Sequence, residues 1–405
     1  MTIINPTYLY VNNKFHKDLA VAFNDKIESI DTFNNLIKKY PSATIQQTQK
    51  NSVLYPGFIN THVHLEFSAN KTTLQYGSFM PWLDSVIENR EDLVGRCNNA
   101  MMKKECEAMM ASGITTFGAI SSFGTELEVC IETPQNVIFF NELIGSNPAT
   151  ADMLYKDFLE RIDASKQAGS GIIPAIAIHA PYSVHPIVLK RAIEVAKNEN
   201  LPLSAHFLES QAEREWLESS SGEFLPFFQK FFSTSMAVTT IDEFMKNFDS
   251  TPTHFTHAVQ ATDKELAYLA QKGHSIAHCP RSNRLLGCGR LPIEKLIKLD
   301  MSFSVATDGL SSNNSLNIFD ELRAGLMMHH LGTLEPLANK LIEGITSVPA
   351  KIFNLNSGEI KIGKDADFAL IKLPDEIKSS ESIALQTILH TKEVKGVYIK
   401  GEKVL

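Results

Sequence analysis

Between residues 53 and 310 the chain alternates eight short segments rich in β-branched and aromatic residues with longer segments of helical period. The eight are VLYPGFINT (53–61), ITTFGAI (114–120), VIFFNEL (137–143), IIPAIAIHA (172–180), LPLSAHF (201–207), THFTHA (253–258), HSIAHC (274–279) and SFSVAT (302–307). Between them, stretches such as YKDFLERIDASKQAG, PIVLKRAIEVAKNEN and DKELAYLAQKG repeat apolar residues every three or four positions and end near Gly or Asn, the pattern of amphipathic helices. Strands separated in this way by helices form a parallel sheet, and eight of them is the number that closes such a sheet into a (β/α)8 barrel. The expected fold class is therefore α/β. Two long inserts, 62–113 after the first segment and 208–252 after the fifth, would lie on the carboxyl-end face of the barrel and shape its pocket.

The two ends have a different pattern. Residues 1–52 contain short alternating runs such as YLYVNN and LAVAFNDKIESI, and residues 358–405 contain GEIKIGKDADFALIKL and VKGVYIKGEKVL, with turn residues between them. Neither end is long enough for a core of its own. The expected division is one small β-sandwich domain made of 1–52 plus 358–405, and a barrel over 53–357 inserted between its halves.

A hydrophobic fraction of 43% and a charged fraction of 21% are those of an ordinary soluble chain, and no apolar run reaches the length of a membrane span. The first residues, MTIINPTYLYVNNKFHKDL, lack a basic segment followed by a long apolar core, so a cytoplasmic location is expected. Five cysteines without a C-x-x-C pair argue against a disulfide framework or a zinc knuckle. A net charge of −8 without a basic stripe points away from nucleic acid and anionic membranes, toward a small-molecule partner.

The polar residues of the strand segments gather at one end. His62 and His64 close the first segment, His179 the fourth, His206 the fifth, His257 the sixth and His278 the seventh, and Asp308 follows the eighth. In a (β/α)8 barrel the carboxyl ends of the strands converge on the site of chemistry. Residues two apart on a strand share a face, so His62 and His64 can chelate one cation. With His206 and Asp308 they supply three nitrogens and one oxygen and leave a position for water, the arrangement of a catalytic rather than a structural metal site.

The ordered set PGFINTHVHLEFS, HAPYSV, SAHFLES, THAV, HCPRSN and SVATDGLSSN, with the C-terminal GEIKIGKDADFALI, resembles the amidohydrolase superfamily, in its metal-dependent chlorohydrolase and nucleobase-deaminase branch. The resemblance covers nearly the whole chain and implies a distorted (β/α)8 TIM barrel with a β-sandwich built from both termini. Through THVHLEFS, YGSFMPWL, HAPYSV, HFLES, SNRLLG and SVATDGLSSN the chain is most similar to the 6-aminodeoxyfutalosine deaminases. That similarity implies hydrolysis of the adenine C–N bond of 6-amino-6-deoxyfutalosine to futalosine and ammonia, in the futalosine route of menaquinone biosynthesis. Deaminases of S-adenosylhomocysteine, methylthioadenosine, adenosine or guanine are the alternative, and a non-catalytic scaffold the remote one.

Carried over residue by residue, the resemblance makes Glu209 the proton shuttle, Asp308 a metal ligand that also takes a hydrogen bond or proton from the water, and His257 the group that stabilises the attacking oxygen. His179, Trp82, Ser282 and Asn283 are expected at the substrate, and Arg284 or Arg281 at a substrate carboxylate, which guanidinium meets bidentately. Glu66 and Glu142 follow strand ends and can serve either substrate hydroxyls or local hydrogen bonds. Binuclear relatives carry a carboxylated lysine after the fourth strand, but IIPAIAIHAPYSV has none, so one divalent ion per chain is expected, Zn2+ first, with Fe2+ or Mn2+ as alternatives. The expected partner is a purine nucleoside, and a homodimer is compatible with the sequence.

Overall fold

The computed structural model describes residues 1–69, 71–169 and 171–405. Eight strands form one sheet in chain order: β1 (Phe58–Val63), β2 (Ile114–Ser121), β3 (Asn136–Leu143), β4 (Ile172–Ile178), β5 (Leu203–Phe207), β6 (His254–His257), β7 (Ser275–His278) and β8 (Phe303–Val305). From β3 to β8 each strand pairs in parallel with the next in sequence. The first and last strands also meet, since the hydroxyls of Thr61 and Ser304 are 2.7 Å apart and the Asp308 N–H donates to the His62 carbonyl at 3.0 Å. This is the expected (β/α)8 barrel.

The run VLYPGFINT, read as one strand, is two. Ser52–Pro56 belongs to a six-stranded sheet and Phe58–Val63 is β1. Proline has no N–H for a ladder, and Gly57 is pressed so closely on Thr115 that a Cβ would lie 2.1 Å from its Oγ1. The chain therefore changes sheets at Pro56–Gly57.

Contacts divide the chain into two compact units, one of residues 1–60, 106–117 and 317–405, the other of residues 61–105 and 118–316. In the first, strands of both termini share the six-stranded sheet, in the order 402–403, 396–399, 368–372, 52–56, 8–11 and 14–17. A four-stranded sheet of 27–31, 20–23, 2–4 and 44–46 packs on it. Ile4, Val21 and Phe23 of the smaller sheet share one buried core with Leu9, Leu54, Phe368 and Tyr398 of the larger, so the termini make a β-sandwich.

In the second unit, the inserts after β1 and β5 are mainly helical, with helices at Phe79–Glu88 and Arg90–Arg96 in one and at Gln211–Ser219, Phe224–Phe232 and Ile241–Asn247 in the other. The barrel interior carries a polar layer at the end of β6 away from His257. There the His254 ring meets Ser275 Oγ at 2.8 Å, Ser304 Oγ at 2.9 Å and Thr61 Oγ1 at 3.3 Å. Burial pushes the His254 pKa down to about 3, so a neutral imidazole is held among hydroxyls that satisfy it.

Strand β2 approaches β1 closely at Gly118, where a Cβ would lie 2.4 Å from the Thr61 carbonyl oxygen, a backbone atom that cannot rotate away. Gly118→Ala should cost about 1–3 kcal/mol through overpacking and lower the thermal unfolding midpoint. Gly95→Ala, in helix Arg90–Arg96 with open space around it, should be neutral or stabilising by up to about 1 kcal/mol. Equal midpoints for the two variants would contradict the close approach of β1 and β2.

Candidate metal centre and active site

His62 lies within β1, His64 just after it, His206 within β5, and Asp308 three residues beyond β8. The donor nitrogens of His62, His64 and His206 lie within 4.8 Å of one another. Asp308 Oδ1 is 3.7 Å from the Nε2 atoms of both His62 and His64, and the Nε2 atoms of His64 and His206 are 3.3 Å apart. The structure thus brings together all four residues expected to hold an ion.

The neighbours of these rings fix how each presents itself. His206 Nδ1 is 2.5 Å from the His179 carbonyl, which can only accept, so Nδ1 carries the proton and the Nε2 lone pair faces the cluster. His62 Nδ1 lies 3.3 Å from Thr256 Oγ1, while its Nε2 is buried without a hydrogen-bond partner among the described residues. Burial first, and then the neighbouring rings, holds His62 and His206 well below the usual imidazole range. Neutral imidazoles with lone pairs converging beside a carboxylate are what a divalent cation requires and what an empty polar pocket would not favour. The donor set fits one first-row ion.

Asp308 is placed by its own backbone. It has φ of +60°, accepts the Gly309 N–H at 2.7 Å through Oδ1 and the Ser282 hydroxyl at 2.7 Å through Oδ2. Burial would raise its pKa, but the His257 and His64 rings, Ser282 and Gly309 together hold it below the ordinary carboxylate value. Gly309 is required here, because a Cβ would lie 2.8 Å from His64 Cβ.

Glu209 and His257 form a second group with Asp308, their donor atoms again within 4.8 Å. His257 Nδ1 lies 2.9 Å from Asn283 Oδ1, so its Nε2 points between Glu209 Oε1 at 3.6 Å and Asp308 Oδ2 at 3.9 Å. Burial, followed by the charges of Asp308 and Glu213, pushes the Glu209 carboxyl well above its ordinary pKa, which favours the protonated form. A buried acid beside an oriented imidazole is equipped to move protons at an adjacent substrate.

The other expected residues are placed as follows. His179 stands beside the cluster, its ring centroid 5.4 Å from that of His206 and its Nδ1 2.5 Å from Ser183 Oγ. The Trp82 indole N–H donates to the Ser311 carbonyl at 2.7 Å, and the ring lies 5.4 Å from that of Phe79. Ser282 and Asn283 are buried and engaged with Asp308 and His257, while Asn283 Nδ2 is buried without a partner among the described residues. Arg284 is exposed, and Arg281 donates to Ser315 Oγ at 3.1 Å.

Glu66 and Glu142 turn out to be buried local partners. Glu66 accepts the N–H groups of Ser122 and Phe123, both at 2.8 Å, and Glu142 accepts the Ser122 hydroxyl at 2.6 Å with its other oxygen 3.8 Å from His206 Nδ1. Sequence reasoning missed Thr256 and Ser183, which orient histidines, and Cys288, whose Sγ lies 3.9 Å from Glu209 Oε1. Nothing local marks a Thr, Ser or Cys for such a place.

Known proteins share this arrangement of the chain. An aminodeoxyfutalosine deaminase of Nitratiruptor sp. is 46% identical over 404 residues, covering 100% of this chain and 99% of its own. An adenosine deaminase of Helicobacter pylori is 37% identical over 399 residues, covering 96% and 95% of the two chains. The crystal structure of Helicobacter pylori aminofutalosine deaminase in complex with methylthio-coformycin superposes with a TM-score of 0.95, at 36% identity and 100% coverage of both chains. The amidohydrolase family model matches residues 53–404, and with these full-length likenesses the chain belongs to the amidohydrolase family.

Proposed function

We propose that the chain is a mononuclear metal-dependent aminohydrolase that deaminates the adenine ring of 6-amino-6-deoxyfutalosine, releasing futalosine and ammonia. The observation that carries the chemistry is the convergence of three imidazole Nε2 atoms and one carboxylate beside Glu209 and His257. The substrate assignment is supported by the full-length likeness to an aminodeoxyfutalosine deaminase at 46% identity.

His62, His64, His206 and Asp308 would hold the ion, zinc first, with iron(II) or manganese(II) as alternatives. When bound, such an ion lowers the pKa of a coordinated water from about 15.7 to about 7 and so makes a nucleophile available at neutral pH. The chain's residues supply the remainder. Glu209, whose burial favours its protonated form, would give that proton to the ring nitrogen beside the attacked carbon, then take the proton of the added hydroxyl and pass it to the leaving amine, while the water's other proton returns to Glu209. His257 Nε2, oriented through Asn283, hydrogen-bonds the oxygen that adds to the ring carbon. The water oxygen ends on that carbon, the C–N bond breaks and ammonia leaves.

His179, beside His206, would meet the nucleoside, and Trp82, its N–H already used, would offer only its ring face for stacking. The unpartnered Asn283 Nδ2 is a donor left for a substrate atom. Arg284, which is exposed, would meet the remote carboxylate through its guanidinium. A second reading, deamination of a smaller adenine nucleoside, is favoured by the 37% identical relative named as an adenosine deaminase.

Metal binding is expected at one ion per chain. His62→Ala should lose ion and activity together, and Gly309→Ala, which removes no donor but crowds His64, should weaken ion binding about 10–100-fold in competition with a chelator. Two tightly held ions, or full turnover without metal, would refute the mononuclear assignment.

Glu209→Gln should lower kcat by roughly 10²–10⁴ with metal content unchanged. Loss of the ion in this variant would instead make Glu209 a ligand.

Ammonia release should show kcat/KM falling from aminodeoxyfutalosine to adenosine and again to adenine, because binding of the remote groups is realised in the transition state. A higher kcat/KM for adenosine would favour the second reading, and no release from any aminopurine would remove both.

A further inference from the structure

Three helices of the second unit begin with the same four-residue pattern, a hydroxyl residue followed three positions later by glutamate: Ser210 with Glu213, Thr240 with Glu243 and Thr262 with Glu265. In the last two the glutamate closes an ordinary capping box. Its carboxylate accepts the N–H of the cap residue itself, at 3.1 Å from Thr240 and 2.6 Å from Thr262. In helix Gln211–Ser219 only half of the box forms, with Glu213 N–H donating to Ser210 Oγ at 3.2 Å. The Glu213 carboxylate passes over Ser210 and accepts the N–H of Glu209 at 2.8 Å and that of Leu208 at 3.1 Å, one on each oxygen.

Those two peptides are the bend that carries the chain out of β5. Leu208 has φ of +44°, in the left-handed region that a leucine rarely adopts. The bend is held on its carbonyl side as well, since the Phe207 carbonyl accepts the Ala258 N–H at 2.8 Å and the Leu208 carbonyl accepts the Gln260 N–H at 2.9 Å. Burial also separates this glutamate from the other two, for Glu213 is 1% exposed whereas Glu243 is exposed and Glu265 is half-buried. A cap alone does not need a buried carboxylate; a bend that must aim one side chain does.

We propose that Glu213 is a positioning residue of the reaction, whose carboxylate fixes the direction of Glu209 by holding the Leu208 and Glu209 N–H groups. The inference rests on the proton-carrying role of Glu209 proposed above. A small misplacement of a reacting group costs up to about a hundredfold in rate, so the clamp should be visible in kcat.

The test is a double-mutant cycle in the metal-loaded, full-length enzyme. Glu213→Gln keeps the size of the side chain but replaces one accepting oxygen by an amide that cannot accept. It should lower kcat by about tenfold to a hundredfold, with KM and bound metal near wild type. In a Glu209→Gln background, where the aimed group is already disabled, the same change should alter turnover by no more than about twofold. Ser210→Ala, which removes the cap bond but not the clamp, should lower the thermal midpoint and leave kcat near wild type. An equal loss from Glu213→Gln in both backgrounds, or a loss that tracks the metal content, would overturn the inference and leave Glu213 a merely structural acid. Unchanged kcat in Glu213→Gln would overturn it too. Unchanged turnover in Glu209→Gln alone would instead remove the proton-carrier reading on which it rests.

Discussion

The hydrogen bond from the Asp308 N–H to the His62 carbonyl, 3.0 Å long, is the contact on which the site depends. It lies where the last strand of the barrel meets the first, and it joins a pair of histidines at one end of the barrel sequence to a carboxylate at the other. The side-chain contact between Thr61 and Ser304 repeats that closure one layer further in, and Gly309 lets the following turn pass against His64. A barrel that failed to close at this seam would keep most of its helices and strands, yet its carboxylate would be separated from its imidazoles.

Closure gathers the donors, and the nitrogens pointing away from the cluster decide what they do. His206 is set by the His179 carbonyl, His62 by Thr256, His257 by Asn283 and His179 by Ser183. Each partner holds Nδ1 and turns Nε2 or the ring face inward. Buried imidazoles are easily kept neutral because burial penalises the charged form, whereas a buried carboxylate needs compensation. Asp308 finds it first in the His257 and His64 rings and then in Ser282 and Gly309, and Glu209 lacks it to the extent that its protonated form is favoured. Two acids a few ångströms from one imidazole are thereby given opposite tendencies, one toward the ionised form and one toward the protonated form.

What the sequence made legible was whatever has a period or a fixed place on a period. Eight β-rich segments separated by helices define the barrel, and the residues that close those segments define the rim, so His62, His64, His206, His257 and Asp308 could be placed before any coordinates. The break at Pro56–Gly57 was hidden because VLYPGFINT is apolar on both sides of it, and the close approach of Thr115 that only a glycine at 57 allows is visible only in the fold. The partners of the histidines were hidden for a related reason. Thr256 and Ser183 are ordinary residues in strand and turn, and their value comes from what the fold places opposite them. Ser210 with Glu213 is the sharpest case, because the same pattern occurs three times and only the bend before it determines which N–H groups the carboxylate takes.

The backbone itself records where the fold is under load. Among the described residues most non-glycine positions with positive φ are Asn or Asp, types that tolerate it, but the strand ends carry Leu208, His257 and Ala258 in that region, with Asp308 after β8. Conformations of this kind cost of order 1–3 kcal/mol each and persist only when the surroundings over-determine them. Here the surroundings are the carbonyl and N–H contacts of Phe207, Leu208 and Asp308 and the side chains of Glu213 and Asn283. An ordinary extended exit would carry Glu209, His257 and Asp308 along the strand direction, away from one another. The sharp turns bring the three side chains within reach of a single atom, so the strain and the chemistry have one geometric origin.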